Sequence, residues 1–196
     1  MDTHTRLAER LRKLRASLGL SLDGLASRSG VSRSNISLIE RGESSPTAVV
    51  LDRLATALGV SLAELFSAAP ASGATPAPLA RAAEQPVWTD PASGYVRRKL
   101  SPDTDSPLQL VAVEFPAGQR VAYETGARAQ RIDQQLWMLS GRIEVSLGAQ
   151  SWQLEAGDCL AMRLDSSVVF HNPGPQPARY LVALVALPPG TERRPK

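Results

Sequence analysis

A chain of 196 residues, 43% of them hydrophobic, is long enough for one or two domains that each bury a core. No apolar run reaches the roughly 18 residues of a membrane helix, and the opening MDTHTRLAERLRKLR is charged where a signal peptide has an apolar core, so a cytoplasmic location without membrane contact is expected. The single Cys159 excludes an internal disulfide and a cysteine-rich zinc site within one chain, and the net charge of +3 is too small and too evenly spread for either half to be a polycation.

Contact with nucleic acid would therefore need a local basic surface. Arg6, Arg10, Arg12, Lys13 and Arg15 could supply one, or could simply be a solvated helix face. Apolar residues three and four apart (Leu7, Leu11, Leu14; Leu22, Leu25; Ile36, Ile39; Leu51, Leu54, Leu58) predict an all-helical segment up to Phe66. Ser21 is placed as the N-cap of SLDGLASRSG, with Asp23 in the first turn, where the helix dipole favours negative charge. Gly30 ends that helix and Ser32 caps the next after a turn of a few residues, with Ala26 small enough for a close helix crossing and Val31, Ile36 and Ile39 closing the core. This is the spacing of a helix-turn-helix, and its second helix starts with Ser32, Arg33, Ser34 and Asn35.

The stretch from about residue 6 to residue 66 resembles the five-helix DNA-binding domain of the phage-repressor-like, or XRE-type, transcriptional regulators. That resemblance implies that the helix from about Ser32 to Glu40 lies in the major groove, with Arg33 and Ser34 facing base edges and Ser32, Asn35 and Ser37 on bases or phosphates. The chemistry agrees, since arginine can donate two hydrogen bonds to guanine O6 and N7, worth about 1–3 kcal/mol of discrimination. Arg41 reaches either a phosphate or the end of its own helix. Leu22 stands where the family often carries Gln, which removes a contact that relatives make.

The expected divisions are a helix-turn-helix domain over residues 1–68, an Ala/Pro/Ser-rich linker over 69–86, a β-domain over 87–190 and a tail over 191–196. Segments such as LQLVAVEF and RIEVSLG alternate with period two, as strands of a sandwich or barrel do. Pro116-Ala117-Gly118, the six-residue gap from Gln134 to Gly141, Gly157-Asp158 and Asn172-Pro173-Gly174 resemble the small-barrel cupin family, a jelly roll, over roughly residues 107–188. The family's metal positions map near Arg128 and Gln130, onto Gln134 and onto Val168, and none of these is an ordinary ligand, so neither a metal nor another cofactor is expected. His171 is offset by three residues, which turns it away from the face of Val168 towards the surface or an interface. Cys159 lacks a base or an electropositive setting and reads first as a small buried hydrophobe, with no catalytic residue in view.

What survives is a barrel that can hold a small molecule or be filled by its own core. Gln134, Leu136 and Met138 share one face of a strand, Val168 and Phe170 share a phase on a later one, and Arg128, Gln130 and Met162 complete the candidate pocket. Arginine and glutamine donors there suit an anionic or carbonyl-bearing ligand, while Gln135 and Trp137 point to the opposite face.

The order of parts resembles the XRE-cupin regulators. That implies a homodimeric transcription factor, expected to be a repressor, which reads a palindromic or pseudo-palindromic operator of double-stranded DNA and senses a small-molecule effector without being an enzyme. The alternatives are a cupin enzyme fused to a DNA-binding domain and a ligand-independent dimeric adaptor.

Overall fold

A computed structural model describes residues 3–67, 77–124 and 130–187. Arg128, the first part of the expected linker and the expected tail lie outside the described residues. The chain opens with four α-helices, α1 (Thr3–Ser17), α2 (Leu22–Ser29), α3 (Arg33–Glu40) and α4 (Ala48–Leu58). Local chemistry sets their ends. Ser21 accepts a hydrogen bond from the Gly24 amide at 3.0 Å, Ser32 from Asn35 at 3.3 Å and Thr47 from Val50 at 3.3 Å, each satisfying a first-turn donor that has no partner within the helix. Gly30 and Gly59 close α2 and α4 in the left-handed conformation.

The expected fifth helix is only a 3-10 turn, Glu64–Phe66. Ser61 and Glu64 cap each other reciprocally, at 3.2 and 2.6 Å, but the sequence then turns to SAAPASG and leaves no length for an α-helix. Leu7, Leu11, Leu25, Val31, Ile36, Ile39, Leu51, Leu54 and Leu58 are all buried, so the helical core is the one the apolar spacing predicts. Each such leucine adds about 1.5–3 kcal/mol by leaving water.

Among the described residues ten strands follow: β1 (Val87–Thr89), β2 (Val96–Lys99), β3 (Leu108–Phe115), β4 (Arg120–Tyr123), β5 (Arg131–Ser140), β6 (Arg142–Leu147), β7 (Gln150–Glu155), β8 (Cys159–Arg163), β9 (Val168–His171) and β10 (Ala178–Leu187). They form two antiparallel sheets, ordered β1-β2-β3-β10-β5-β8 and β4-β9-β6-β7, a double-sheet jelly roll. The register of β10 on β5 sets Val182 beside Leu136 and Leu184 beside Gln134, which points all four inward. Gly141 has φ +74°, and a Cβ there would lie 2.8 Å from the Pro177 carbonyl oxygen, so this tight connection into β6 needs glycine. Asn172, fully buried, donates to the carbonyls of Phe115 and Gln176 and accepts from the Gly174 amide, which fixes the loop after β9.

The later part of the expected linker is folded onto the barrel. Ala82 accepts from Arg98 Nη1 at 3.2 Å and Pro86 from the Lys99 amide at 3.0 Å. The two domains also touch directly. Asp90, in the β1–β2 turn, accepts the Ala48 amide at 3.1 Å and so adds a carboxylate to the N-terminus of α4, where the helix dipole favours it. The Phe66 and Trp88 rings lie 5.8 Å apart across the same boundary, and Arg53 pairs with Glu124 at 2.8 Å on its rim. The described residues of the two domains therefore share a packed interface.

Candidate DNA-reading surface and barrel cavity

The helix-turn-helix presents the start of α3 to solvent. Ser32, Arg33 and Ser34 are exposed and Asn35 and Ser37 are partly buried, while Ile36, Ile39 and Glu40 turn inward. Among the described residues Arg33 pairs with Asp23, at 3.3 Å between side chains that are both mostly exposed, so a stronger anion or a base edge can displace that partner. Ser32 Oγ and Ser34 Oγ lie 3.2 Å apart, which presents two hydroxyls side by side. Leu38, on the same helix, is 37% exposed.

Arg41 is occupied in a different way. It donates to both carboxylate oxygens of Glu43 at 2.8 Å and to Ser37 Oγ at 2.5 Å, and the hydrogen bond to Glu43 raises its pKa while lowering that of the carboxyl. Arg15 is not part of a free basic surface. Its guanidinium grips the buried Glu40 carboxylate at 2.7 and 2.6 Å and the Leu20 carbonyl at 2.8 Å, tying the end of α1 to the end of α3, and the hydrogen bond to Glu40 raises its pKa. Lys13 pairs weakly with Glu9 at 3.8 Å, and Arg10 reaches the Glu64 carbonyl at 3.4 Å.

Within the barrel, a cavity of about 60 Å³ sits between the two sheets at the end facing the helical domain. Of the residues expected to line it, Gln134, Val168 and Phe170 do so. Leu136 and Met138 are inward-facing but lie in the packed core outside its lining, and Met162 borders a shallow groove with Leu108 and Gln135. Gln130 is partly buried, with its Oε1 shielded and without a hydrogen-bond partner.

Apart from Gln134, the cavity's polar groups come from residues the sequence did not single out. Tyr95, Arg97, Tyr123 and Tyr180 all line it, and the Tyr95 and Tyr123 hydroxyls are 2.9 Å apart. Burial raises the pKa of all three phenols, so they remain neutral hydroxyls. Burial is the largest influence on Arg97 and works against its charge; its pKa is raised because Tyr95, Tyr123 and Tyr180 attract it once they ionise at alkaline pH and because Tyr95 is a hydrogen-bond partner. The cavity is closed by Asp52, Ser61, Leu62 and Ala63, which belong to α4 and the turn after it.

Metal chemistry does not fit this site. Gln130 and Gln134 are neutral amides and Val168 has no donor, and among the described residues no three His, Cys, Asp or Glu side chains converge as a metal would require. His171 faces outward and bonds Glu144 Oε2 through Nδ1 at 3.0 Å. Cys159 is exposed, contrary to its reading as a buried hydrophobe. It lies opposite Trp137 on the outward phase of β8, where Trp137 and Leu139 are 49% and 44% exposed.

A helix-turn-helix with a polar, exposed second helix, carried on a jelly-roll barrel, defines a two-domain DNA-binding regulator. The helix-turn-helix family (HTH_3) matches residues 11–65. The chain is 40% identical over 67 residues to the uncharacterized HTH-type transcriptional regulator y4dJ of Sinorhizobium fredii (strain NBRC 101917 / NGR234), covering 34% of this chain and 87% of that protein. Over 175 residues it is 25% identical to the HTH-type transcriptional regulator SutR of Escherichia coli (strain K12), covering 89% of this chain and 91% of that one. The crystal structure of an HTH_3 family transcriptional regulator from Vibrio cholerae shares the fold, with a TM-score of 0.73 and 24% identity over 93% of this chain and 96% of the other. The chain belongs to the XRE-type helix-turn-helix transcriptional regulators, and it is a DNA-binding protein of that class. No described helix is long and apolar enough to cross a membrane.

Proposed function

We propose that this regulator is a cytoplasmic homodimeric repressor whose barrel senses a small molecule and performs no catalysis. The observation that carries the sensor reading is the lid. The cavity's closing wall is built from α4 and the following turn, so any occupant touches the DNA-binding domain as well as the barrel. Differential affinity for two placements of that domain is what a ligand needs in order to regulate. The four substituted metal positions favour binding over turnover.

In this reading α3 enters the major groove, Arg33 and Ser34 read base edges, Ser32, Asn35 and Ser37 touch bases or phosphates, and Arg41 exchanges Glu43 for a phosphate. Two copies about 34 Å apart read a palindrome. The outer face of the six-stranded sheet, with Trp137, Leu139, Leu108 and Leu110 exposed, is the candidate contact between copies.

Fluorescence anisotropy with DNA from the gene's own upstream region, across a salt series, tests the DNA reading. Arg33→Ala is expected to lose about 1–3 kcal/mol on the preferred sequence while nonspecific binding changes little. Equal weakening on all sequences would make Arg33 a phosphate contact. If selection from genomic DNA enriched no sequence, the operator reading would fall.

A further inference from the structure

We propose that the barrel cavity is a binding site for a small monocarboxylate, taken by Arg97 together with the Tyr95–Tyr123 hydroxyl pair. This names the ligand class of the sensor proposed above and rests on that reading.

The reason is an unmatched charge. Arg97 Nη2 is shut off from solvent and has no hydrogen-bond partner. Isolating a cation from water costs several kcal/mol, and the groups that bear on Arg97 most strongly, Tyr95, Tyr123 and Tyr180, bring no negative charge at neutral pH. An anion supplies what is missing, and a planar carboxylate matches the guanidinium fork.

Size and walls narrow the class. At roughly 10–15 Å³ for each water-sized position, a cavity of about 60 Å³ admits about four to six heavy atoms. The other walls, Val113, Val168, Val182 and Leu184 among them, are aliphatic and suit a short hydrocarbon tail, whereas a phosphate or sulfate would turn bare oxygens onto them.

Calorimetric titration of the full chain with propionate and butyrate, against propionamide and inorganic phosphate, decides the matter. One acid per chain should bind, propionamide should bind about 10-fold or more weakly, and Arg97→Gln should weaken the acid by a similar factor, since hydrogen bonds to charged groups carry about 1.5–3 kcal/mol. Tyr123→Phe, which keeps the ring and its edge contact with Phe170, should weaken it about 5-fold, and it decides the outcome if Arg97→Gln does not fold. Without ligand, Arg97→Gln should melt no lower than the parent, because it removes an unpaired charge.

Equal binding of the amide, unchanged affinity in either variant, binding of phosphate instead of the acids, or no acid binding in the millimolar range would each overturn the proposal. DNA anisotropy with and without propionate separates this site from the sensor reading. Acid bound through Arg97 with DNA affinity unchanged would keep the site and end the sensor reading. An effect on DNA from an uncharged metabolite with no acid bound would keep the sensor and end the carboxylate.

Discussion

Arg33 and Arg97 are the same residue in opposite settings. Arg33 stands on the exposed start of α3, paired at 3.3 Å with the exposed Asp23. Arg97 stands inside the barrel with part of its guanidinium sealed from water and unpaired. Water stabilises the first without help, so its partner is optional and exchangeable. The second has no such support, so its surroundings have to be read as half of an interaction. In the proposed reading, exposed charge marks where the protein meets a polyanion it grips and releases, and buried charge marks where it expects one small anion of fixed shape.

The largest effect expected on the buried side is alkaline. Tyr95, Tyr123 and Tyr180 have raised folded-state pKa values because burial disfavours the phenolate, while unfolded phenols ionise near pH 10. The folded state therefore holds protons that the unfolded state has released. Stability present below about pH 10 should fall as the pH rises, by about 1.4 kcal/mol per pH unit for each tyrosine and about 4 for the three. Urea unfolding at pH 9 and at pH 11 checks this, the parent being expected to lose ~1.4 kcal/mol more across that interval than Tyr123→Phe; an equal loss would show that Tyr123 ionises freely.

A smaller effect concerns the boundary that joins the two settings. Asp90→Ala should cost about 2 kcal/mol, since it leaves the Ala48 amide without its buried carboxylate partner. Differential scanning calorimetry should then show the helical and barrel transitions drawing apart. A single unchanged transition would show that the docking rests on Phe66 and Trp88 alone.

On the exposed side, Asp23→Ala should strengthen DNA binding by about 2- to 5-fold in anisotropy at low salt, because it frees Arg33 from a pair worth at most about 1 kcal/mol. Weaker binding would mean that Asp23 positions Arg33 for its base. The smallest effect belongs to Arg53→Ala, whose ion pair with Glu124 is on the rim, and thermal stability should change by less than about 0.5 kcal/mol.

The helical domain was legible because its determinants are local. Leucine spacing, the serine caps and the Gly30 turn lie within a few residues of the bonds they make, and a helix that shows one face inward necessarily shows the other outward. Arg15 is the exception, since its partner Glu40 is 25 residues away and no local pattern links them.

The barrel gave up its alternation but not its site. In Tyr95-Val96-Arg97-Arg98-Lys99, period two forces a basic residue inward whichever face is buried, a signal that could have pointed to Arg97 or Arg98. Choosing between them took the pairing of β2 with β3, which sets Arg97 beside Val113. Cys159 was misread for a related reason: its burial depends on which phase of β8 faces the other sheet, not on its own apolar character.

By itself the sequence determined the two architectures, the ends of the helices, the exposed polar start of α3 and the unsuitability of the metal positions, because each follows from residue type and from neighbours close along the chain. Only the tertiary structure decided that the domains dock through Asp90 and Phe66, that α4 closes the barrel, and that Arg97 and three tyrosines meet in one cavity. Tyr95, Tyr123 and Tyr180 are separated by 28 and 57 positions, and only the antiparallel pairing of distant strands brings their side chains to a single point.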